Sequence, residues 1–275
     1  MKDLDSLFRL DGRVAIITGG AGLLGKEFSR ALASYGAHVV IADIKGDKSK
    51  VVAQKITSMG LPEAIGIEVD VSNKDSVDKM VQSVLKKFGR IDILVNNAAL
   101  DPKFDTKHWD EHNNLFENYP LELWNKSIAV NLTGAFLCSQ AVAKPMLKQG
   151  KGVIVNISST YGLVGPDQRL YEKNDSHQRS YKPVAYSVTK SAILGLTRYL
   201  ATYWAGKNIR VNALTPGGVY DNHDTEFVHK YTYRTPLKRM ADKSEYCGAL
   251  LFLVSDASSY MTGANLVVDG GWTAW

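Results

Sequence analysis

Thr18-Gly-Gly-Ala-Gly-Leu-Leu-Gly25 follows directly on the apolar run Arg13-Val-Ala-Ile-Ile17. Leu24, Phe28, Ala31, Leu32 and Tyr35 then recur at helical spacing, and Gly36 stands where that helix should stop. A short apolar run ending in Thr-Gly reads as a buried strand. The order is therefore strand, glycine turn, helix, and within the turn Gly20-x-Gly22-x-x-Gly25 has the spacing of a dinucleotide fingerprint. Glycines permit the tight turn and let a pyrophosphate approach the helix N-terminus, whose free N–H groups and dipole favour negative charge. Gly19, Gly22, Leu23, Leu24 and Gly25 are the loop residues expected to meet the cofactor. Asp43 ends the next apolar run, His38-Val-Val-Ile-Ala42, 18 residues after Gly25. A carboxylate there accepts hydrogen bonds from an adenosine ribose and repels a 2′-phosphate, so NAD is expected rather than NADP.

Outward from this unit the alternation continues. Ala64–Val69, Ile91–Val95, Val153–Ile157, Ile209–Ala213 and Leu266–Val268 read as strands. Ser72 and Asp75 look like a capping box opening a helix with Val77, Met80, Val81, Val84, Leu85 and Phe88 on one face. Longer helices are expected over about Leu121–Leu147 and Val184–Trp204, and a shorter one near Ser244–Val254. Strict β/α alternation implies an α/β fold: a Rossmann-type, doubly wound parallel sheet with helices on both faces. With no repeats or linkers, residues 1–275 read as a single domain. Three polar segments, near 100–119, 163–183 and 217–239, follow strands. In such a sheet they border the ligand crevice.

Composition narrows the function classes. Hydrophobic residues make up 45% and charged residues 22% of the 275, which excludes disordered and collagen-like chains. No apolar run approaches a membrane span, and Met1-Lys-Asp-Leu-Asp-Ser-Leu7 has no apolar core of a secretion signal, so a cytoplasmic protein without membrane association is expected. Cys138 and Cys247 form no disulfide framework or metal site by themselves and read as reduced core residues. The net charge is +5 with a pI near 9.0, but the basic residues are scattered, which argues against nucleic acid and for an anionic small molecule.

Tyr186 and Lys190 lie four apart in a helical segment, hence on one face. A phenol is a weak base at neutral pH, and a nearby ammonium favours the phenolate, so the pair can serve as a tuned acid/base. Together with Thr18-Gly19, Asp70-Val71, Asn96-Asn-Ala-Ala99, Asn131, Ser158-Ser159, Pro216-Gly217 and Asp269-Gly270, all in family order, the chain resembles the single-domain branch of the short-chain dehydrogenase/reductase family from about Leu10 to its end. That resemblance implies Tyr186 as the proton donor or acceptor at the substrate oxygen. It implies Lys190 as the group that lowers the tyrosine pKa and holds the nicotinamide ribose, Ser159 as the residue orienting the substrate oxygen, and Asn131 as support for a proton relay through water and Lys190. Asp70 and Val71 match the adenine pocket, and Asn97 and Ala98 the wall beside the adenosine ribose. Pro216 and Gly217 match the segment leading to Val219, whose backbone meets the carboxamide. Asn96 matches a structural hydrogen bond at a strand end. The family habit also implies a homotetramer built across the two long helices. Trp272 and Trp275 are expected on a neighbouring subunit or over a substrate site.

The chain departs from the family pattern in places. The glycine spacing is that of the sugar-nucleotide-modifying branch and leaves Leu23 where a glycine is expected. The gap from Ser159 to Tyr186 is 27 residues, about twice the family habit, and predicts a lid or wall over the substrate. The threonine usual after Pro216-Gly217 is replaced by Asp221 or Asn222. The long loops carry Lys103, His108, Trp109, His112, Arg169, His177, Arg179, Lys182, His223, His229, Lys230 and Arg234, with Tyr119, Tyr161, Tyr171, Tyr220 and Tyr231. Cations and aromatic faces suit a sugar-like substrate, phosphorylated or not, and the histidine spacing supports no metal site. Arg198–Trp204 and Asp269–Trp275 resemble a bacterial subgroup linked to flagellin modification and to nonulosonic or amino-sugar biosynthesis. Rival readings are a nucleotide-sugar epimerase or dehydratase with tightly held NAD, and a non-catalytic dinucleotide sensor.

Overall fold

The computed structural model describes residues 3–101, 114–172 and 180–275. After a short helix α1 (Leu4–Phe8), β1 (Val14–Thr18) enters the centre of the sheet with all five residues buried. The chain then runs α2 (Leu23–Ser34), β2 (His38–Asp43), α3 (Gly46–Ser58), β3 (Ala64–Glu68), α4 (Lys74–Phe88) and β4 (Ile93–Asn96). Next come α5 (Leu121–Ile128), α6 (Gly134–Gln149), β5 (Gly152–Ile157), α7 (Val184–Tyr203), β6 (Ile209–Pro216), α8 (Thr225–Arg234), α9 (Cys247–Val254) and β7 (Asn265–Val268). The strands form one seven-stranded sheet in the order β3-β2-β1-β4-β5-β6-β7, every pairing parallel. The order reverses between β1 and β4, so a crevice opens outside their C-terminal ends.

Two apolar layers hold helices to the sheet. Phe28 and Leu32 of α2 and Leu250 and Val254 of α9 pack on Ile17 and Ile41 on one face. Met80 and Val84 of α4, Cys138 and Val142 of α6, and Leu200 of α7 pack on Ile16, Leu94 and Ile154 on the other. Burying one such large aliphatic or aromatic side chain stabilises the fold by roughly 1.5–3 kcal/mol. Cys138 lies fully in this core, while Cys247 is half-buried, and both thiols are free.

Several local expectations change. The α4 cap is Asn73, whose Oδ1 accepts from the N–H of Ser76 at 3.1 Å, rather than Ser72. Ser72 instead gives both its N–H and its hydroxyl to Asp70 Oδ1 (2.9 and 2.6 Å). A short polar side chain serves the nearest unsatisfied acceptor, and here that is the carboxylate at the strand end. The long helix over Leu121–Leu147 forms, but one π-turn, Ala129–Thr133, interrupts it between α5 and α6. The segment 217–239, read as a loop, contains helix α8, capped by Asp224 Oδ1 on the N–H of Phe227 at 2.9 Å. Its aromatic and charged residues hid the apolar spacing of Phe227, Val228 and Tyr231. Among the described residues no helix is long and apolar enough to cross a membrane.

Candidate active site

A cleft of about 520 Å³ lies where the strand order predicts a ligand crevice. Its floor is laced by short polar links. The Thr18 hydroxyl accepts from the N–H groups of Asn97 and Ala98 (3.0 and 3.1 Å), and the Asn97 amide donates to Thr18 O and Gly19 O (2.9 and 3.1 Å). These bonds press the glycine turn onto the end of β4. Gly19 has φ +61°, and a Cβ there would meet Ala98 Cα at 2.8 Å, so only glycine fits. Gly22, Leu23 and Leu24 line the cleft at the start of α2. Gly25 does not line it. A Cβ at Gly25 would stand 2.2 Å from Gly19 O, so this glycine lets α2 pack against the turn. The spacing of the fingerprint marks all three glycines alike, whereas packing and contact separate only in three dimensions.

Asp43 reaches the same cleft. Its Oδ2 accepts from Ala21 N–H and its Oδ1 from Lys45 N–H, both at 3.0 Å, which fixes the carboxylate beside the turn. Asp70, Val71, Asn97, Ala98, Pro216, Gly217 and Val219 also line it. Gly134 brings α6 against this end, because a Cβ there would meet Val71 Cγ2 at 2.7 Å. Asn96 points away into the core, donating to Asn156 Oδ1 (2.8 Å) and Ser139 Oγ (3.0 Å), the structural bond expected of it.

Ser159, Tyr186 and Lys190 meet at the middle of the cleft. The Ser159 hydroxyl accepts from Tyr161 N–H at 3.2 Å and lies near enough to the Tyr186 phenol to favour its ionised form. Ser158, one residue earlier, donates its hydroxyl to Lys190 O at 2.8 Å and so braces β5 against α7. Lys190 is 5% exposed; its ammonium donates to Ile157 O at 2.8 Å and lies 5.8 Å from the centre of the Tyr186 ring. Burial pushes this ammonium down to about 8, with Asp101 opposing and Lys182 adding to the fall. Burial likewise raises the Tyr186 phenol above its ordinary value, Asp101 raises it further, and Ser159 lowers it. The loss of hydration around the phenol is the largest of these influences.

Asn131 does not reach the cleft wall. The π-turn holds it buried, with Oδ1 accepting from Leu100 N–H (2.7 Å) and Nδ2 donating to Leu100 O and Thr189 Oγ1 (both 3.1 Å). It ties the segment after β4 to α7, and no bond to Lys190 is formed. A helix interior offers no such lateral reach, and the π-turn supplies it.

The outer half of the cleft is lined by Thr160, Tyr161, Tyr171, Phe227, Tyr231 and Met240, with Asp101, Lys182, Asp221 and His223. Of the two residues considered for the missing threonine, Asp221 lines the cleft and Asn222 forms a turn at φ +54°. Trp272 is 1% exposed and stacks on Tyr231 at 4.2 Å, behind the cleft wall of its own chain rather than on a neighbour. Trp275 is exposed, its indole N–H donating to Arg234 O at 3.2 Å. Among the described residues the loop cations are paired with carboxylates: Arg169 and Arg234 both grip Asp167 (2.7 Å each), Lys230 pairs with Glu226 (2.7 Å), and Lys182 with Asp101 (2.5 Å). Asp101, Phe227 and Met240 were not anticipated. Asp101 and Phe227 fall within the segments expected to border the crevice, though not singled out there; Met240 lies just beyond the third of them. Lys103, His108, Trp109, His112, His177 and Arg179 lie outside the described residues. Among the described residues no cluster of three or more His, Cys, Asp or Glu is placed to hold a metal.

A family model described as enoyl-(acyl carrier protein) reductase matches residues 20–273. The chain is 33% identical to the NADH-dependent L-xylulose reductase of Ambrosiozyma monospora, over the whole of both proteins. It is 34% identical to the NAD-dependent glycerol dehydrogenase of Listeria innocua, over 99% of this chain and 98% of the relative. The crystal structure of a gluconate 5-dehydrogenase from Burkholderia cenocepacia with NADP and tartrate superimposes with a TM-score of 0.85 at 31% identity, covering 99% and 100% of the two chains.

Proposed function

The chain belongs to the short-chain dehydrogenase/reductase family in its single-domain form, and from that premise we propose that it interconverts a secondary alcohol and a carbonyl of a polyol or sugar-like substrate, with NAD as the redox partner. It is an oxidoreductase acting on CH–OH and C=O. The observation that carries the reading is the convergence of Ser159, Tyr186 and Lys190 at the middle of one cleft whose inner half is a glycine turn.

The inner half fits a dinucleotide. Gly19 and Gly22 leave room for backbone approach, the start of α2 presents N–H groups to a pyrophosphate, and Asp43 faces the place of a ribose. When bound there, the nicotinamide supplies or takes up the hydride. Tyr186 holds a proton on its hydroxyl, which it gives to the substrate oxygen in reduction and recovers in oxidation. Ser159, beside that hydroxyl in the cleft, fixes the position of the substrate oxygen. Lys190 holds the ribose hydroxyls and places positive charge beneath the phenol. Asn131 acts as a positioning residue, through Leu100 and Thr189.

Polyol or sugar-like substrates are supported by the aromatic and polar outer cleft and by the activities of the relatives named above. A place in bacterial surface-glycan or flagellin-modification metabolism has only the wording of Arg198–Trp204 and Asp269–Trp275 in its favour. The test is a screen of alditols, aldonates, sugar phosphates and nucleotide sugars with NAD, read at the NADH absorbance. NAD that stays bound through purification, with no net NADH formed, would favour the epimerase reading. Asp43 makes a further expectation: NAD(H) supports faster turnover than NADP(H), and Asp43→Ala narrows the gap, since the repelling carboxylate is gone. Equal rates with both cofactors in the unmodified protein would refute this.

Self-association into a homotetramer has its support in the outer faces of the long helices. Leu121, Phe136, Leu147, Val188, Tyr199 and Tyr203 are all exposed there, and Tyr199 and Tyr203 stack at 5.8 Å. An apolar strip of this kind is an interface pattern. Light scattering at micromolar concentration should give about four times the chain mass of 30.3 kDa, and a monomer would end this reading.

A further inference from the structure

We infer that Asp101 and Lys182 form a specificity pair in the substrate half of the cleft, taking two neighbouring hydroxyls of an uncharged polyol and turning away aldonates and sugar phosphates. The inference rests on the proposed polyol reaction and gives that substrate its charge class.

The pair is placed by the fold at the reacting residue. Lys182 immediately precedes Pro183, the N-cap of α7, and so stands four residues before Tyr186. Its N–H donates to Gln168 Oε1 at 2.9 Å, which anchors it to the segment between Ser159 and Tyr186 that exceeds the family length. From there the ammonium reaches over the Tyr186 ring, 4.3 Å from its centre, and lies 5.9 Å from the centre of Tyr161. The side chain is only 12% exposed, and Asp101 Oδ1 lies 2.5 Å from its Nζ. Asp101 enters from the other side, just after β4, and is about half exposed to the cleft.

Charge decides what such a pair accepts. An ammonium has three protons, and one goes to Asp101; a carboxylate oxygen pair has more acceptor sites than that one bond uses. A vicinal diol satisfies the remainder without separating the ions: one hydroxyl donates to Asp101 and its neighbour accepts from Lys182. A ligand carboxylate or phosphate must instead compete with Asp101 for Lys182 and then sit against the displaced negative charge, an arrangement of like charges that is costly away from bulk water. Arg169, Arg234 and Lys230 do not line the cleft: the two arginines share Asp167 and Lys230 pairs with Glu226, so Lys182 is the loop lysine or arginine that faces the substrate half among the described residues. Lys190 donates one proton to Ile157 O and its others are assigned to the cofactor ribose, not to the substrate.

The experiment compares alditols with aldonates of the same carbon skeleton, xylitol with xylonate and threitol with threonate, as kcat/KM with NAD, and measures NADH affinity by fluorescence in parallel. The unmodified protein should favour each alditol by about tenfold or more. Asp101→Asn removes the repelling charge and frees the ammonium, so the preference should shrink by about tenfold. Lys182→Gln should lower alditol kcat/KM and depress the aldonate further, because only the carboxylate remains. If Lys182→Gln fails to fold, Lys182→Arg keeps a cation and should keep the alditol preference. An unmodified protein that prefers an aldonate or a sugar phosphate, or variants that change both substrate classes equally, would overturn the inference while leaving the oxidoreductase reading standing. NADH binding without turnover of any alditol, aldonate or sugar phosphate would instead remove the reading on which it rests.

Discussion

Tyr186→Phe should lower turnover by roughly 10²–10⁴-fold, the range over which a positioned acid/base accelerates a reaction. The substitution removes one oxygen and keeps the ring. The ring centre lies 4.3 Å from the Lys182 ammonium and 5.8 Å from that of Lys190, and the ring contributes to the packing around Tyr161 and Tyr231, so the fold should survive. Ser159 still accepts from Tyr161 N–H, so its hydroxyl is not stranded. NADH affinity should therefore change little while kcat collapses. That split identifies a group acting on the reacting atoms rather than one that holds the cleft together. A Tyr186→Phe protein that keeps most of its activity on a polyol it oxidises would sink the mechanism.

Lys190→Met should fail on two counts. Methionine matches the length and keeps the burial but carries no charge. Turnover should fall because the cation beneath the phenol is gone, and NADH affinity should fall because the ribose loses a charged donor. Hydrogen bonds to a charged group contribute about 1.5–3 kcal/mol, hence about ten- to a hundredfold in Kd. Stability versus pH supplies an independent readout. Burial holds the folded ammonium at about 8, against 10.5 for an ordinary lysine. Between these values the unfolded chain binds more protons than the folded one, so the contribution of this site to stability rises with pH across that window. Below it both states are protonated and the cost of the buried charge is fully present. Denaturant midpoints at pH 7.5 and 10 should show this rise as the difference between the unmodified protein and Lys190→Met. An identical pH dependence in the two proteins would mean that Lys190 is not held as a desolvated cation.

What could be read from the chain by itself was local in origin. The run Val14–Thr18, the turn after it and the periodicity of Leu24 to Tyr35 specify strand, turn and helix through interactions within a few residues. The β/α alternation then leaves a parallel sheet as its one economical arrangement, and all seven strands stand within a few residues of where the apolar runs put them. The four-residue spacing of Tyr186 and Lys190 likewise needs only a helix to place them on one face. The choice of Ser159 over Ser158 came from the family motif, and the coordinates give the physical difference: one hydroxyl faces the tyrosine and the other ties down the helix.

Tertiary structure alone decided which partner each side chain met. Gly25 and Gly22 are alike in a motif, yet one faces the cleft and the other a carbonyl oxygen of the turn. Asn131 reaches Leu100 and Thr189 because a π-turn displaces it. Arg234 meets Asp167, 67 residues away in sequence, and Lys182 meets Asp101, 81 residues away, so these loop cations are engaged by carboxylates that no local reading pairs with them. Periodicity and turn chemistry are properties of neighbours along the chain. Charge pairing, desolvation and close backbone approach depend on distances through space, and those exist only once the sheet has brought distant segments together.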